Sequence, residues 1–284
     1  MTIPNTRSSH SLPKPSGGGI CFVVSTLIAI IISKEFYFLI PIPLAIVGFI
    51  DDNHDIKIHY RFFIHTLTSF LLIYYSNFYL INYNFSVGSI LLIYLLLTIL
   101  SIGIINVVNF MDGIDGLVTG TSIVFIVSSI LYIKYDSLLI ICGSLIAFLF
   151  YNWFPSKVFM GDIGSTFIGA LYVGLLLHTS NIDETISLFL ISSPLLLDGF
   201  TCIIRRYLHK QEIFNAHKLH LYQRLNQAGW SHSKVSIIYI LATLSLSIAY
   251  LTGGLLVEII LFLIIISYGL YLDQNVARRF VDCL

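Results

Sequence analysis

The chain reads as long apolar runs separated by short polar breaks. Ten runs fall at 20–33, 36–50, 60–76, 87–107, 115–133, 137–153, 165–179, 185–203, 233–250 and 254–272. Most approach the length of a bilayer crossing, and the breaks between them (Lys34-Glu35, Asn82 to Asn84, Asn181 to Glu184, Gly253-Gly254) carry turn-forming or charged residues. The pattern predicts an all-α, polytopic transmembrane bundle of about ten helices, formed as one domain over residues 1–284. The first two runs are short, and Pro41 and Pro43 interrupt the second, so these two are expected to cross or to form a re-entrant hairpin.

Composition agrees with this solvent assignment. Of 284 residues, 57% are hydrophobic and 11% charged, against about a quarter charged in soluble domains. Counting gaps alternately places thirteen Lys and Arg on one side and only Lys34 and Lys134 on the other. That asymmetry makes the basic side cytoplasmic, with both termini on it. Cys21, Cys142, Cys202 and Cys283 show neither disulfide nor metal-ligand spacing and read as small apolar residues. Glu258 reads as a snorkelling residue near the outer end of the last hairpin.

The acids are concentrated on the basic side. Asp51, Asp52, Asp55, Asp112, Asp115 and Asp162 all sit in three short connectors. Scattered surface acids need no explanation, but carboxylates clustered at one depth near a bilayer imply a shared counter-charge, and hard oxygen ligands suit Mg²⁺ or Mn²⁺. The first connector is GFIDDNHD, where a continued helix would put Asp51 and Asp55 on one face. In the second, NVVNFMDGIDGL, the polar residues Asn106, Asn109, Asp112 and Asp115 recur every three positions. An unbroken helix would turn them by about 60° per step, so convergence requires a break at Gly113 and Gly116. The third, FMGDIGS, sets Asp162 between glycines ahead of a new helix, where phosphate oxygens could approach the helix N-terminus. In the basic connector 204–232, His217, His220 and Arg224 follow an i, i+3, i+7 spacing that would line one helical face with phosphate donors.

These segments, with AHKLHLYQRL and the N-terminal IPNTRSSH and PSGGG stretches, resemble the bacterial polyprenyl-phosphate N-acetylhexosamine-1-phosphate transferases. That group is the O-antigen-initiating branch of glycosyltransferase family 4, related to the phospho-MurNAc-pentapeptide transferases. The resemblance implies ten or eleven transmembrane helices in the bacterial inner membrane and an active site at the cytoplasmic face. It implies transfer of N-acetylhexosamine 1-phosphate from a UDP-N-acetylhexosamine to undecaprenyl phosphate with release of UMP, using Mg²⁺ or Mn²⁺, in synthesis of O-antigen-like polysaccharide. By position, Asp162 and Asn109 resemble metal ligands, Phe159 a nucleobase-stacking residue, and Asp112 and Asp115 donor-pocket acids, with Asn106 beside them. Asp51 and Asp52 resemble the pair assigned to the acceptor phosphate or to proton transfer, Arg61 a phosphate-holding base, and His217, His220 and Arg224 a pyrophosphate-contacting set. The family has a further helix ahead of the PNxRSSH loop, so this chain is expected to lack the first one, and a truncated inactive member is one alternative. No nucleic-acid partner is implied, lipid surrounds the protein, and a homodimer is compatible with the resemblance. A secondary transporter, the rival from another class, would place its acids near mid-membrane in two symmetric halves.

Overall fold

A computed structural model describes residues 13–54, 56–76, 86–133, 135–212 and 217–283. Among them are ten α-helices and no β-strand. They are α1 (Ile20–Ser33), α2 (Ile42–Asp51), α3 (Ile58–Tyr74), α4 (Val87–Met111), α5 (Leu117–Tyr132), α6 (Ser137–Asn152), α7 (Gly161–Leu176), α8 (Ile182–Leu208), α9 (Leu221–Gln227) and α10 (His232–Asn275). The ten apolar runs map onto these helices, with a short 3₁₀ turn over Phe36–Leu39 leading into α2 and the last two runs joined within α10. Helices α4, α8 and α10 are each long and apolar enough to cross a membrane. With five shorter apolar helices beside them, this is a multi-pass membrane protein.

The helix ends carry local signals. Ser86, Asn181 and Ser231 each accept a backbone N–H from the third residue of the helix they open, satisfying donors that the bilayer cannot. Gly254 interrupts α10 with φ 72 and ψ −172, a backbone essentially reserved to glycine, and turns the helix into a hairpin. Both ends of that hairpin return to one end of the bundle: His232 approaches Asp115, and Asp273 pairs with Arg205 at the end of α8. Near its tip Glu258 is 0% exposed and accepts from the Ser187 hydroxyl at 3.1 Å. It therefore does not snorkel. A short carboxylate stem met a packed helix wall, and the hydrogen bond to α8 holds it there.

Helix α7 is the centre of the bundle, with Ile163 to Leu176 all buried. It packs on α2 and α4. A Cβ on Gly48 of α2 would lie 2.5 Å from the Asp162 carbonyl group, so the α2–α7 approach depends on the missing side chain. That contact brings the C-terminus of α2 against the N-terminus of α7. At the opposite end of the bundle, the Glu35 carboxylate accepts from the backbone N–H groups of Asp136 and Ser137, at 3.0 and 3.1 Å, and so holds the start of α6.

Candidate active site

The three acid-bearing connectors meet at the basic end of the bundle. Asp51 and Asp52 close α2, Asp112 follows α4, and Asp162 lies in the first turn of α7. Arg61, on the first turn of α3, spans two of them: it donates to Asp51 Oδ2 at 2.5 Å and lies 3.1 Å from Asp162 Oδ2. Asn109, two residues from the end of α4, donates through Nδ2 to Asp162 Oδ1 at 3.1 Å and to the Ser165 hydroxyl at 2.8 Å. The amide's donor side is thus committed, and its carbonyl oxygen remains for a cation. The expected break is real: α4 ends at Met111, Gly116 has φ 75, and α5 starts at Leu117.

Asp112 is half-buried, and no described residue donates a hydrogen bond to its carboxylate. Burial, reinforced by the negative charges of Asp162, Asp52 and Asp115, pushes its carboxyl up to about 7. One guanidinium set among four carboxylates leaves an excess of negative charge. The donors are hard oxygens, of the kind that would hold a Mg²⁺ or Mn²⁺ ion: Asp162 and the Asn109 carbonyl, with Asp112 beside them.

Other expected site residues take different places. Asp52 accepts from the backbone N–H groups of Asp162 and Ile163, at 3.0 and 3.3 Å. It caps α7, so the helix N-terminus that the glycine spacing offered to phosphate is already occupied by a carboxylate of the protein. Asp115 does not converge with Asn109 and Asp112. It is 2% exposed and accepts from the backbone and hydroxyl of Ser156, at 3.0 and 2.8 Å, with His232 at 3.5 Å and Lys14 at 3.8 Å. Burial raises its carboxyl, but the bonds from His232 and Ser156 outweigh that and hold it below the usual range. Asn106 points its amide nitrogen to the Ile102 carbonyl at 2.8 Å and lies 3.4 Å from His65 Nδ1, one turn deeper than Asn109. Phe159 is half-buried, with the Lys14 ammonium 5.1 Å from its ring centre. Asp55 and the segment 3–10 lie outside the described residues.

The predicted face of His217, His220 and Arg224 is corrected by the fold. Helix α9 starts at Leu221, so the two histidines precede it and the three share no helical face. Arg224 is 2% exposed; it donates to the carbonyls of Leu219 and Arg278 and pairs with Asp273, which leaves it little to offer a ligand. His220 is 1% exposed, and His217 is half-buried.

Beside Pro194 near the basic end of its helix, Asp198 takes the supporting place that its position in the sequence allows. Asp198 accepts from the backbone N–H groups of Leu221 and Tyr222 and from the Tyr239 hydroxyl, at 2.7, 3.0 and 2.7 Å, and so fixes α9 on α8 and α10. Tyr222 then donates to the Phe110 carbonyl at 3.0 Å, beside the acid-bearing break. Asp198 stands next to an apolar run, where only its cost in lipid signals a role; Lys14 and Ser156 carry no local signal.

A profile described as Glycosyl transferase family 4 matches residues 36–180, just over half of the chain. The chain is 38% identical over 110 residues to a Bacillus subtilis (strain 168) protein named "Probable undecaprenyl-phosphate N-acetylglucosaminyl 1-phosphate transferase", covering 36% of this chain and 30% of that one. It is 32% identical over 109 residues to the phospho-N-acetylmuramoyl-pentapeptide-transferase of Carboxydothermus hydrogenoformans, covering 37% and 32%. It is 27% identical over 266 residues to the undecaprenyl-phosphate alpha-N-acetylglucosaminyl 1-phosphate transferase of Escherichia coli O157:H7, covering 84% and 72%. The matches thus span about a third of the first two relatives and most of the third. With the profile match lying across the helices that carry Arg61, Asn109, Asp112 and Asp162, the chain belongs to glycosyl transferase family 4.

Proposed function

We propose that the protein transfers an N-acetylhexosamine 1-phosphate from a UDP-sugar to undecaprenyl phosphate, releasing UMP, at the cytoplasmic face of a bacterial inner membrane. The observation that carries this reading is the meeting of Asn109, Asp162, Arg61 and Asp51 at the bundle's basic end, with Asp112 beside them. The names of the relatives favour the same acceptor class. The acids lie at helix ends of one face, which disfavours a transporter with its site at mid-membrane.

The reaction joins two anions, so charge is its main obstacle. An oxygen of the lipid phosphate attacks the sugar-bearing phosphorus of the donor; a new P–O bond forms, and the P–O bond to UMP breaks. Phosphate monoesters have a second pKa near 6, so the acceptor is already largely dianionic at neutral pH and needs no general base. Asp112, Asp162 and the Asn109 carbonyl would hold a Mg²⁺ or Mn²⁺ ion, which when bound supplies charge neutralisation for the donor pyrophosphate. Arg61 is fixed between Asp51 and Asp162 and brings its remaining N–H donors to the phosphate oxygens. Asn109 orients Asp162, and Asp52 fixes the helix end that carries it. Phe159 and Lys14 form an aromatic and cationic edge suited to a uridine base and its phosphate.

The reading is tested by incubating detergent-purified protein with polyprenyl phosphate and UDP-N-acetylhexosamines and measuring released UMP. Release that requires both substrates and stops with EDTA is expected; release without the lipid, or none with any UDP-sugar in Mg²⁺ or Mn²⁺, would overturn it.

A further inference from the structure

The histidine connector meets a cysteine. Cys202, on α8, is buried, and its sulfur lies with ring nitrogens of His217 and His220 so that all three ligand atoms are within 4.8 Å of one another. The edges of a tetrahedron built on Zn–S and Zn–N bonds are about 3.3–3.6 Å, so the three atoms stand within about 1.5 Å of the separations a bound ion sets. The two imidazoles lie face to face at a centroid distance of 4.9 Å, tilted by 31°.

Two features suit the group to a metal. His220 is enclosed, yet its Nδ1 has no hydrogen-bond partner, with the nearest carboxylate, Asp198, 3.8 Å away. A buried nitrogen without a bond costs free energy that a ligand would relieve. His217 has its Nδ1 engaged by the Leu219 N–H at 3.2 Å, which leaves the other ring nitrogen for coordination.

We infer that Cys202, His217 and His220 form a zinc site made of residues other than the oxygen-ligated acidic set. One thiolate and two imidazoles match Zn²⁺ and mismatch Mg²⁺. On binding, the Cys202 thiol loses its proton to solvent, and Asp198 lends a negative charge beside His220. The ion ties α8 to the strand of chain leading into α9 and, through Tyr222, to the break after α4.

The full chain, carrying an affinity tag without histidines, is purified in detergent from zinc-supplemented cells and its metal content measured. About one zinc per chain is expected, and cobalt exchanged in its place should show the thiolate charge-transfer absorption that carboxylates cannot give. Cys202→Ser should lose that absorption, while Cys142→Ser keeps it. If Cys202→Ser does not fold, His217→Ala replaces it, with zinc affinity lower by at least about tenfold. A wild-type chain with no bound zinc and no cobalt–thiolate band, or a band unaffected by Cys202→Ser or His217→Ala, would overturn the assignment.

Discussion

Asp162 holds two partners at once: Arg61 on one oxygen and the Asn109 amide on the other. An Asp162→Asn variant keeps the shape but loses the charge, and UMP release should fall by a factor on the order of 10²–10³ with the melting temperature little changed. Normal turnover in that variant would remove Asp162 from the site. Asp112 makes a prediction of opposite kind. Its carboxyl titrates near 7 when folded, against an ordinary carboxylate value when unfolded, because burial and three like charges favour the protonated form. Between those values the folded state holds a proton that the unfolded state has released, so stability falls as pH rises from about 4 to about 7. Thermal melting in EDTA across that range should show the decline, and Asp112→Asn should reduce it to the part contributed by Asp162, whose carboxyl burial pushes up to about 6. Added Mg²⁺ should oppose the decline at the upper end, by neutralising the same carboxylates.

At the scale of elements, the α2–α7 junction positions the acids. Asp52→Ala removes the acceptor for two N–H groups of α7 and should cost about 1 kcal/mol, with Asp52→Asn recovering part of it; chemical denaturation or melting checks both. Gly48→Ala forces α2 away from α7 and should cost about 1–3 kcal/mol while also lowering turnover, because Asp51 and Asp162 would separate. The helices themselves were legible from the apolar runs, since the bilayer allows few other backbones. The break after α4 was legible too, from Gly113 and Gly116. What could not be read was which way each polar group turned. Asp112 and Asp115 stand three residues apart in like surroundings, yet one faces Asp162's field and the other is closed in with Ser156 and His232. That choice is made by α6–α7 and α10, far away in sequence. The histidine spacing misled for a related reason: a periodic count assumes a helix, and α9 begins only after His220.

For the molecule as a whole, charge segregation and geometry coincide. The connectors that bring Arg61, Lys14 and the acids together lie on the side that carries thirteen of the fifteen Lys and Arg, and the opposite end is fastened by Glu35. The positive-inside asymmetry then predicts sidedness: in intact cells, a cysteine replacing Lys57 should be shielded from an impermeant thiol reagent, and one replacing Lys34 should react. The reverse pattern would place the acids outside, away from any cytoplasmic nucleotide donor.

The Tyr222–Phe110 hydrogen bond has a consequence for dissecting this chain. The stretch that the profile matches ends at residue 180, but the Phe110 carbonyl in the last turn of α4 is closed by a phenol contributed 42 residues later, on a helix anchored by Asp198 and Tyr239. An excised 36–180 piece would contain Asn109, Asp112 and Asp162, the proposed Mg²⁺ or Mn²⁺ ligands, and still lack the brace that shapes their loop. Minimal catalytic fragments of this protein should therefore extend through the final hairpin.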